Sequence, residues 1–315
     1  MRIYINPGKS RNILATIAIG KTYLEDWEAN AMPSWLDYCN RHNLGLVLFD
    51  VDLIAQEDPL WKKATWQKML IGSLLSDKLP SVYNVCYLDT DILISPFAPN
   101  IFENYQSEKI GLISQLNNLP YPLHETLRRL AFMRHHYYDN KYPLDSALFM
   151  NIQQYYDFHD VEPQLDIACM GVFVFNVENH QKLMRSWFNK YDKNVDTLTG
   201  GGDEPLINFE MQAWGNIQWF PYKFQAIWNY EMSWKYHFLY DFGRYNKDLI
   251  QECIEASLYS NHFLHFAGSW FESDMWKLGP VFSRKKKINL ARDFEEYLKQ
   301  PVSGMPRGLI KPSKK

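Results

Sequence analysis

Three apolar runs, separated by segments of helical spacing, occupy the first third of the chain and constrain its fold more than any other feature. The runs are 12–19, 44–50 and 84–96, and the segments between them, 23–43 and 61–79, place apolar residues three and four positions apart. Continuous apolar runs are typical of parallel strands buried on both faces, and helices connect such strands by right-handed crossovers. We therefore predict an α/β fold with a doubly wound, mostly parallel sheet.

The third apolar run contains two acidic residues, Asp89 and Asp91, within Asn84-Val-Cys-Tyr-Leu-Asp-Thr-Asp-Ile-Leu-Ile-Ser-Pro96. Charges in buried β-structure are costly unless positive charge compensates them. Ligands of doubly wound sheets collect at the carboxyl ends of the strands, and paired carboxylates suit Mg²⁺ or Mn²⁺. The pattern therefore predicts a divalent-metal site at Asp89 and Asp91, with turn capping by one of them as the alternative.

The rest of the chain predicts one continuous domain. Further apolar runs predict strands at 109–115, 168–176, 216–220 and 262–266, and helical spacing predicts helices at 180–191 and 203–212. The segment 117–165 is rich in Tyr, His and Pro without a clear period, and we predict an insertion or lid there. Since no repeat or boundary precedes residue 280, we predict a single domain over 1–280, followed by a basic C-terminal helix and tail over 281–315.

Charge and cysteine content exclude several classes of protein. The net charge is −3, which gives no nucleic-acid footprint. The charge is uneven, because the tail from Arg284 onward is strongly basic. We expect this tail either to make peripheral contact with an anionic membrane or to be a solvated terminus. Four separated cysteines without a C-x-x-C pair argue against a zinc module or disulfide framework and suit a reducing compartment. With no signal peptide or membrane-length apolar run visible, we expect a cytoplasmic protein.

Five short motifs occur in an order that is informative as a set. They are Trp66-Gln-Lys68, Tyr87-Leu-Asp-Thr-Asp-Ile-Leu93, Gly171-Val-Phe-Val-Phe-Asn176, Gly201-Gly-Asp-Glu-Pro-Leu-Ile-Asn208 and His262-Phe-Leu-His-Phe-Ala-Gly268. This order resembles the GT-A glycosyltransferases, most closely the family 8 group that includes glycogenin and bacterial lipopolysaccharide galactosyltransferases. The resemblance covers about residues 12–280 as motif order rather than as continuous identity, and it implies a GT-A fold.

The resemblance implies roles for particular residues. Asp89, Asp91 and His265 would coordinate Mn²⁺ or Mg²⁺, whereas His262 would face away from the site. Contacts to a nucleotide-diphosphate sugar are implied for Thr16, Ala18, Tyr23, Lys68, Asp89, Thr90 and Gly268. Catalytic roles near the transferred sugar are implied for Asp203, Glu204 and Lys68.

Each of these roles has a structural alternative. Tyr23 suits an ordinary core aromatic of the first helical turn, and Lys68 suits a solvated helix charge. A lone strand histidine such as His265 is often a satisfied core residue. Asp203 is placed to cap the helix that follows it, although capping leaves Glu204 and the preceding glycines unexplained.

The implied function is metal-dependent transfer of a sugar from a nucleotide-diphosphate sugar to an acceptor hydroxyl, with retention of configuration. The acceptor would be a glycan, a lipid-linked sugar or a protein. Aromatic residues of 117–165 and 228–234 offer faces for stacking on sugar rings, with ordinary packing as the equal alternative.

Some residues depart from the family pattern, and two alternative functions remain open. Cys169 and Met170 replace an Asn-Ser pair, Glu204 replaces Gln, and Phe271 stands where a Lys is expected, so Lys277 or Lys223 would supply the diphosphate cation. One rival is a phosphatase of the haloacid dehalogenase type, although its D-x-D usually opens the fold. The other is a catalytically inactive glycosyltransferase-like binding protein.

Overall fold

The computed structural model of the protein describes residues 1–115, 117–138, 152–195, 202–268 and 270–282. The strands are β1 (Arg2–Ile5), β2 (Asn12–Ile17), β3 (Gly45–Phe49), β4 (Asn84–Leu88), β5 (Ile92–Ile94), β6 (Ile110–Ser114), β7 (Ala168–Asn176), β8 (Ile217–Phe220), β9 (Ala226–Ile227) and β10 (Phe263–His265). The α-helices are α1 (Lys21–Asp26), α2 (Met32–His42), α3 (Ala64–Gln67), α4 (Ile71–Lys78), α5 (Leu123–Tyr137), α6 (Ile152–Phe158), α7 (Val177–Lys190), α8 (Glu204–Trp214), α9 (Trp228–Lys235) and α10 (Lys247–Ser260).

Tighter or wider helical turns join several of these elements. A π-helical segment, Trp27–Ala31, connects α1 to α2, and a 3-10 turn, Lys68–Leu70, connects α3 to α4. Further 3-10 turns lie at Tyr222–Gln225, His237–Tyr240 and Phe271–Asp274.

A seven-stranded sheet in the order β1-β3-β2-β4-β7-β6-β8 forms the centre of the molecule. Strand β2 pairs in parallel with β3 and β4, whereas β7 runs antiparallel to its neighbours β4 and β6. Strand β8 is parallel to β6, and β1 is antiparallel to β3 at one edge. Five strands therefore share one direction and two oppose it, which confirms the predicted mostly parallel α/β sheet.

Both faces of this sheet are covered, as the continuous apolar runs predict. Along β2, Leu14 belongs to a core cluster that contains Trp27 and Trp35, whereas Ile13 belongs to a second cluster that contains Trp66. Successive residues of a strand point to opposite faces, so the two clusters lie on opposite sides of the sheet. The doubly wound arrangement is confirmed.

A second sheet, in the order β5-β10-β9, corrects the prediction of one strand over 84–96. Strand β4 ends at Leu88 in the large sheet, and β5 begins at Ile92 in the small one. The two aspartates therefore lie in the turn between two sheets and not inside a strand. Strand β10 pairs antiparallel with β5 and places His265 opposite Ile92, directly beside this turn.

Other differences concern elements with weak local signals. Strand β1 is absent from the prediction, and helices α5 and α6 occupy part of the segment expected to be irregular. Within the described part of the chain, no helix is both long enough and apolar enough to cross a membrane. The single domain over 1–280 stays a prediction, and the basic helix and tail predicted from 281 lie outside the described residues beyond 282.

Candidate metal and donor site

The acidic turn is fixed by backbone hydrogen bonds to two other strands. The backbone N–H of Asp89 donates to the carbonyl of Gly171 in β7 at 2.9 Å, and that of Phe266 donates to the carbonyl of Asp91 at 3.1 Å. The hydroxyl of Tyr87 donates to Asp89 Oδ1 at 2.7 Å. Both aspartates are therefore held by strands that are distant in sequence.

Two carboxylates and one imidazole converge at this turn. One ligand atom from each of Asp89, Asp91 and His265 lies within 4.8 Å of the others. His265 Nε2 lies 3.3 Å from Asp91 Oδ1 and 3.9 Å from Asp89 Oδ2. The two carboxylates are partly exposed and the imidazole is buried, so the cluster faces solvent through its acidic side.

These three side chains fit a divalent cation. Asp91 Oδ1 is buried and accepts no well-aligned hydrogen bond from the described residues. A Cβ on Gly171 would lie only 2.3 Å from His265 Cε1 and 2.9 Å from Asp89 Oδ2, so glycine is needed where β7 passes the cluster. Carboxylates and imidazole are both ordinary ligands of divalent metal ions, so the donor set fits such an ion.

Protonation of the cluster follows from its burial and from the mutual contacts of its members. Burial opposes the charged form of His265, but Cys169 and Asp91 raise the pKa of the imidazole well above its ordinary value. Burial likewise opposes ionisation of Asp91, but the facing imidazolium holds the pKa of that carboxyl below its ordinary value. These shifts favour an imidazolium facing a carboxylate, and a bound cation would have to displace the imidazolium proton.

Two side chains contact the other nitrogen of His265, and the sequence pointed to neither of them as a partner of this histidine. Gln225 Nε2 lies 3.1 Å from His265 Nδ1, and Cys169 Sγ lies 3.5 Å from it. A ligating histidine donates from this nitrogen, and the Gln225 amide oxygen accepts that hydrogen bond when the amide is turned by 180°. Gln225 lies in a 3-10 turn without any motif, so no local signal in the sequence marks it.

Lys68 supplies the positive charge behind the acidic turn. Its side chain is 2% exposed, and its Nζ lies 3.1 Å from Asp203 Oδ2 and 3.7 Å from Asp89 Oδ1. The ammonium also donates to the carbonyl of Met170 at 2.9 Å. The alternative of a solvated helix charge is therefore wrong, and Lys68 lies behind the site rather than on its open side. Contact between Lys68 and a donor stays a prediction.

Asp203 and Glu204 lie beside Lys68 at the start of α8. Asp203 occupies the N-cap position but makes no side-chain cap, so the capping alternative is wrong. The Glu204 carboxylate accepts hydrogen bonds from Tyr155 Oη at 3.1 Å and from Gln115 Nε2 at 3.3 Å. Burial, reinforced by Asp203, raises the pKa of Glu204 to about 7. The sequence did not point to Tyr155 or Gln115 individually.

A cleft of about 530 Å³ opens in front of the acidic turn. It is lined by Ile17, Ile19, Tyr23, Asp26, Lys63, Ala64, Thr65, Tyr87, Asp89, Thr90, Asp91, Gly268, Ser273, Asp274, Trp276 and Lys277. Such a volume lies within the range of small-molecule sites, about 300–1,000 Å³.

Of the remaining residues predicted to contact the donor, some line this cleft and others are buried. Tyr23 is 66% exposed on the cleft wall, so its interpretation as a core aromatic is wrong. Thr90 and Gly268 also line the cleft. Thr16 and Ala18 are buried, and their strand neighbours reach the wall instead, because alternate residues face opposite sides. Contact of Thr16 and Ala18 with a donor stays a prediction.

The candidate substitute lysines lie in different places. Lys277 lines the cleft, where its Nζ lies 2.8 Å from Asp274 Oδ1 and 3.1 Å from Asp26 Oδ2. Lys223 lines a different cavity. The ring of His262 packs against Phe224, with centroids 4.8 Å apart, and His262 is not part of the metal cluster. Lys277 is therefore the one of the two lysines that lines the cleft in front of the acidic turn.

Comparison with known proteins gives similarity at the level of structure, to solved structures. No protein-family model matches the chain, and no curated protein matches it. Among solved structures, the chain is similar to a glycosyltransferase involved in the glycosylation of the major capsid of PBCV-1, at 8% identity and a TM-score of 0.45. The match covers 84% of this chain and 99% of that one.

Proposed function

We propose that this protein is a metal-dependent glycosyltransferase that moves a sugar from a nucleotide-diphosphate sugar to an acceptor hydroxyl, with retention of configuration. The observation that carries the proposal is the convergence of Asp89, Asp91 and His265 within 4.8 Å of one another. The two aspartates border a cleft large enough for a nucleotide, and the cleft also contains the exposed ring of Tyr23.

The cleft provides distinct surroundings for the parts of such a donor. Ile17, Ile19 and Tyr23 form an apolar wall suited to a nucleobase. Mn²⁺ or Mg²⁺ held by the acidic turn and His265 would supply positive charge that neutralises the departing diphosphate. Gly268, with a φ of 96°, lies three residues after His265 and lines the cleft, and its missing side chain leaves room for a phosphate to approach the backbone.

Residues behind the acidic turn would act near the transferred sugar. Lys68 is a positioning residue, since its ammonium holds Asp203 and Asp89 together. Glu204, with a pKa of about 7, changes protonation near neutral pH. Either carboxyl at the start of α8 would stabilise the developing positive charge on the sugar carbon or orient the acceptor hydroxyl. Retention requires no dedicated general base.

Ligand-induced stabilisation tests the proposal without knowledge of the acceptor. A panel of nucleotide-diphosphate sugars is added with and without Mn²⁺, and thermal unfolding is followed for wild type, Asp91→Asn and the exposed control Asp77→Asn. A ligand at a hundred times its Kd stabilises the folded state by about 2.7 kcal/mol. We expect one donor to raise the Tm of wild type and of Asp77→Asn only when Mn²⁺ is present, and Asp91→Asn to lose that increase.

Turnover assays separate the proposal from its rivals. The proposal predicts Mn²⁺-dependent cleavage of the stabilising nucleotide-sugar and loss of that cleavage in Asp91→Asn. Hydrolysis of p-nitrophenyl phosphate would indicate a phosphatase instead. Binding without any cleavage or transfer would indicate an inactive binding protein. Full nucleotide-sugar cleavage by Asp91→Asn would contradict the metal site itself.

A further inference from the structure

A second cavity, of about 830 Å³, shares no lining residue with the metal cleft. Four segments bound it: the chain after β6, strand β8 with the 3-10 turn that follows it, helix α9 and the end of α10. The proposed donor chemistry uses none of its residues, so the cavity needs a separate explanation.

Aromatic side chains supply flat apolar faces to this cavity. Trp219 lies on the outer face of the edge strand β8 and is 38% exposed. Tyr121 lies on another wall, where its ring stacks on Trp234 with centroids 5.3 Å apart and an interplanar angle of 9°. A tryptophan left partly open to solvent and a tyrosine fixed by stacking are suited to contact the C–H faces of sugar rings.

Hydrogen-bonding groups are placed between these aromatic faces. The carboxylate of Glu231 is 1% exposed and accepts hydrogen bonds from Tyr121 Oη at 3.0 Å and from the ammonium of Lys235. Lys223 and Asn261 add a cation and an amide to the wall. A wholly apolar ligand would remove water from the Lys223 ammonium and from the other polar groups of the wall without replacing it, which is costly. A ligand rich in hydroxyl groups can satisfy them and still cover the aromatic rings.

We propose that this cavity binds an oligosaccharide. Its volume lies within the range of about 300–1,000 Å³ found for small-molecule sites, and its walls combine stacking surfaces with a few fixed polar groups, as such sites do. Saccharide binding here requires neither the metal nor a donor. That the bound saccharide is the acceptor, or an extension of it, rests in addition on the proposed function.

Chain segments connect the cavity to the metal cluster, which supports the acceptor interpretation. The 3-10 turn that contributes Lys223 to the cavity also carries Gln225, whose amide lies 3.1 Å from His265 Nδ1. The segment that contributes Tyr121 follows Gln115, whose amide donates to Glu204 at 3.3 Å. A saccharide bound in the cavity would therefore contact chain segments that also carry Gln225, beside His265, and Gln115, beside Glu204.

A glycan array followed by calorimetry tests the proposal. Labelled wild-type protein is applied in EDTA and without donor to an array of defined neutral and acidic oligosaccharides, and the strongest binder is titrated into each variant. We expect Trp219→Ala to weaken binding at least tenfold. Phe158→Ala, which removes an exposed aromatic ring outside the cavity, should stay within twofold of wild type. Because Trp219 is partly exposed, its removal should leave the fold intact, which circular dichroism checks.

Different outcomes test the saccharide site itself and the proposed transferase activity on which its role as an acceptor site depends. Absence of any array signal, or equal affinity of wild type and Trp219→Ala, would overturn the saccharide site. Loss of binding in Asp91→Asn but not in Trp219→Ala would overturn it as well, by placing the saccharide in the metal cleft. If binding in EDTA depends on Trp219 while no donor is ever bound or cleaved, the saccharide site stands and the proposed transferase activity fails.

Discussion

Glu204→Gln should change how the stability of the protein depends on pH. The glutamate is half-buried beside Asp203 and has a pKa of about 7 in the folded protein, against an ordinary value of 4.5. Glutamine has nearly the same shape and never carries the charge. The substitution therefore removes the cost of ionisation and changes little else.

The sign of the effect follows from proton linkage. Between about pH 4.5 and pH 7 the folded protein keeps a proton on Glu204 that the unfolded chain has lost, so the contribution of Glu204 to stability falls as pH rises through this window. Above pH 7 both states are ionised and the loss is complete. The difference between the two pKa values corresponds to about 3 kcal/mol. We take about 2–3 kcal/mol, since the carboxylate retains some contact with water.

Urea unfolding at pH 5 and pH 8 measures this contribution. We expect Glu204→Gln to gain about 2 kcal/mol of unfolding free energy relative to wild type between the two pH values. The control Glu162→Gln, at an exposed position, should gain less than about 0.5 kcal/mol, as is usual for surface substitutions. A wild-type-to-variant difference that is the same at both pH values would refute the burial of a titrating carboxyl at this position.

Three further substitutions test contacts around the site. Lys68→Met should lower the unfolding free energy at pH 7 by about 3–5 kcal/mol, since it leaves the buried Asp203 carboxylate uncompensated, and adding Asp203→Asn should restore part of the loss; urea titrations showing no rescue would contradict the pairing. Gly171→Ala should abolish stabilisation by Mn²⁺ in thermal unfolding, because the new methyl group overlaps the metal cluster, and an unchanged Mn²⁺ response would contradict that geometry. Arg134→Met should cost about 3–5 kcal/mol by leaving the buried Glu272 carboxylate without its cation, whereas the double substitution with Glu272→Gln should cost less; equal losses in urea would contradict the ion pair.

The fold was predictable where its signals are local. Continuous apolar runs identified β2, β3 and β4, and helical spacing identified the segments between them. The change of sheet after Asp91 was not predictable, because Ile92–Ile94 is as apolar as the strand before it. Only pairing with β10, near the other end of the described chain, assigns these residues to a different sheet. Helix α5 was missed because its buried stripe includes a threonine and an arginine.

The candidate site was likewise predictable only in part. Asp89, Asp91 and His265 were brought together in advance by the order of the motifs. The burial of Lys68 was not, because helical spacing does not reveal that a lysine packs against carboxylates from distant segments. Gln225 also escaped prediction, since it becomes relevant only through its tertiary contact with the imidazole.

The position of β10 in the sequence has a consequence for biosynthesis. Every strand of the large sheet precedes His265, so a ribosome releases all seven of them before it releases the imidazole. A nascent or truncated chain that ends before β10 can offer a cation only the two carboxylates of the turn. Binding of the ion by all three side chains would then be possible only after the small sheet has been translated. Such binding would stabilise chains that contain β10 in preference to chains that lack it.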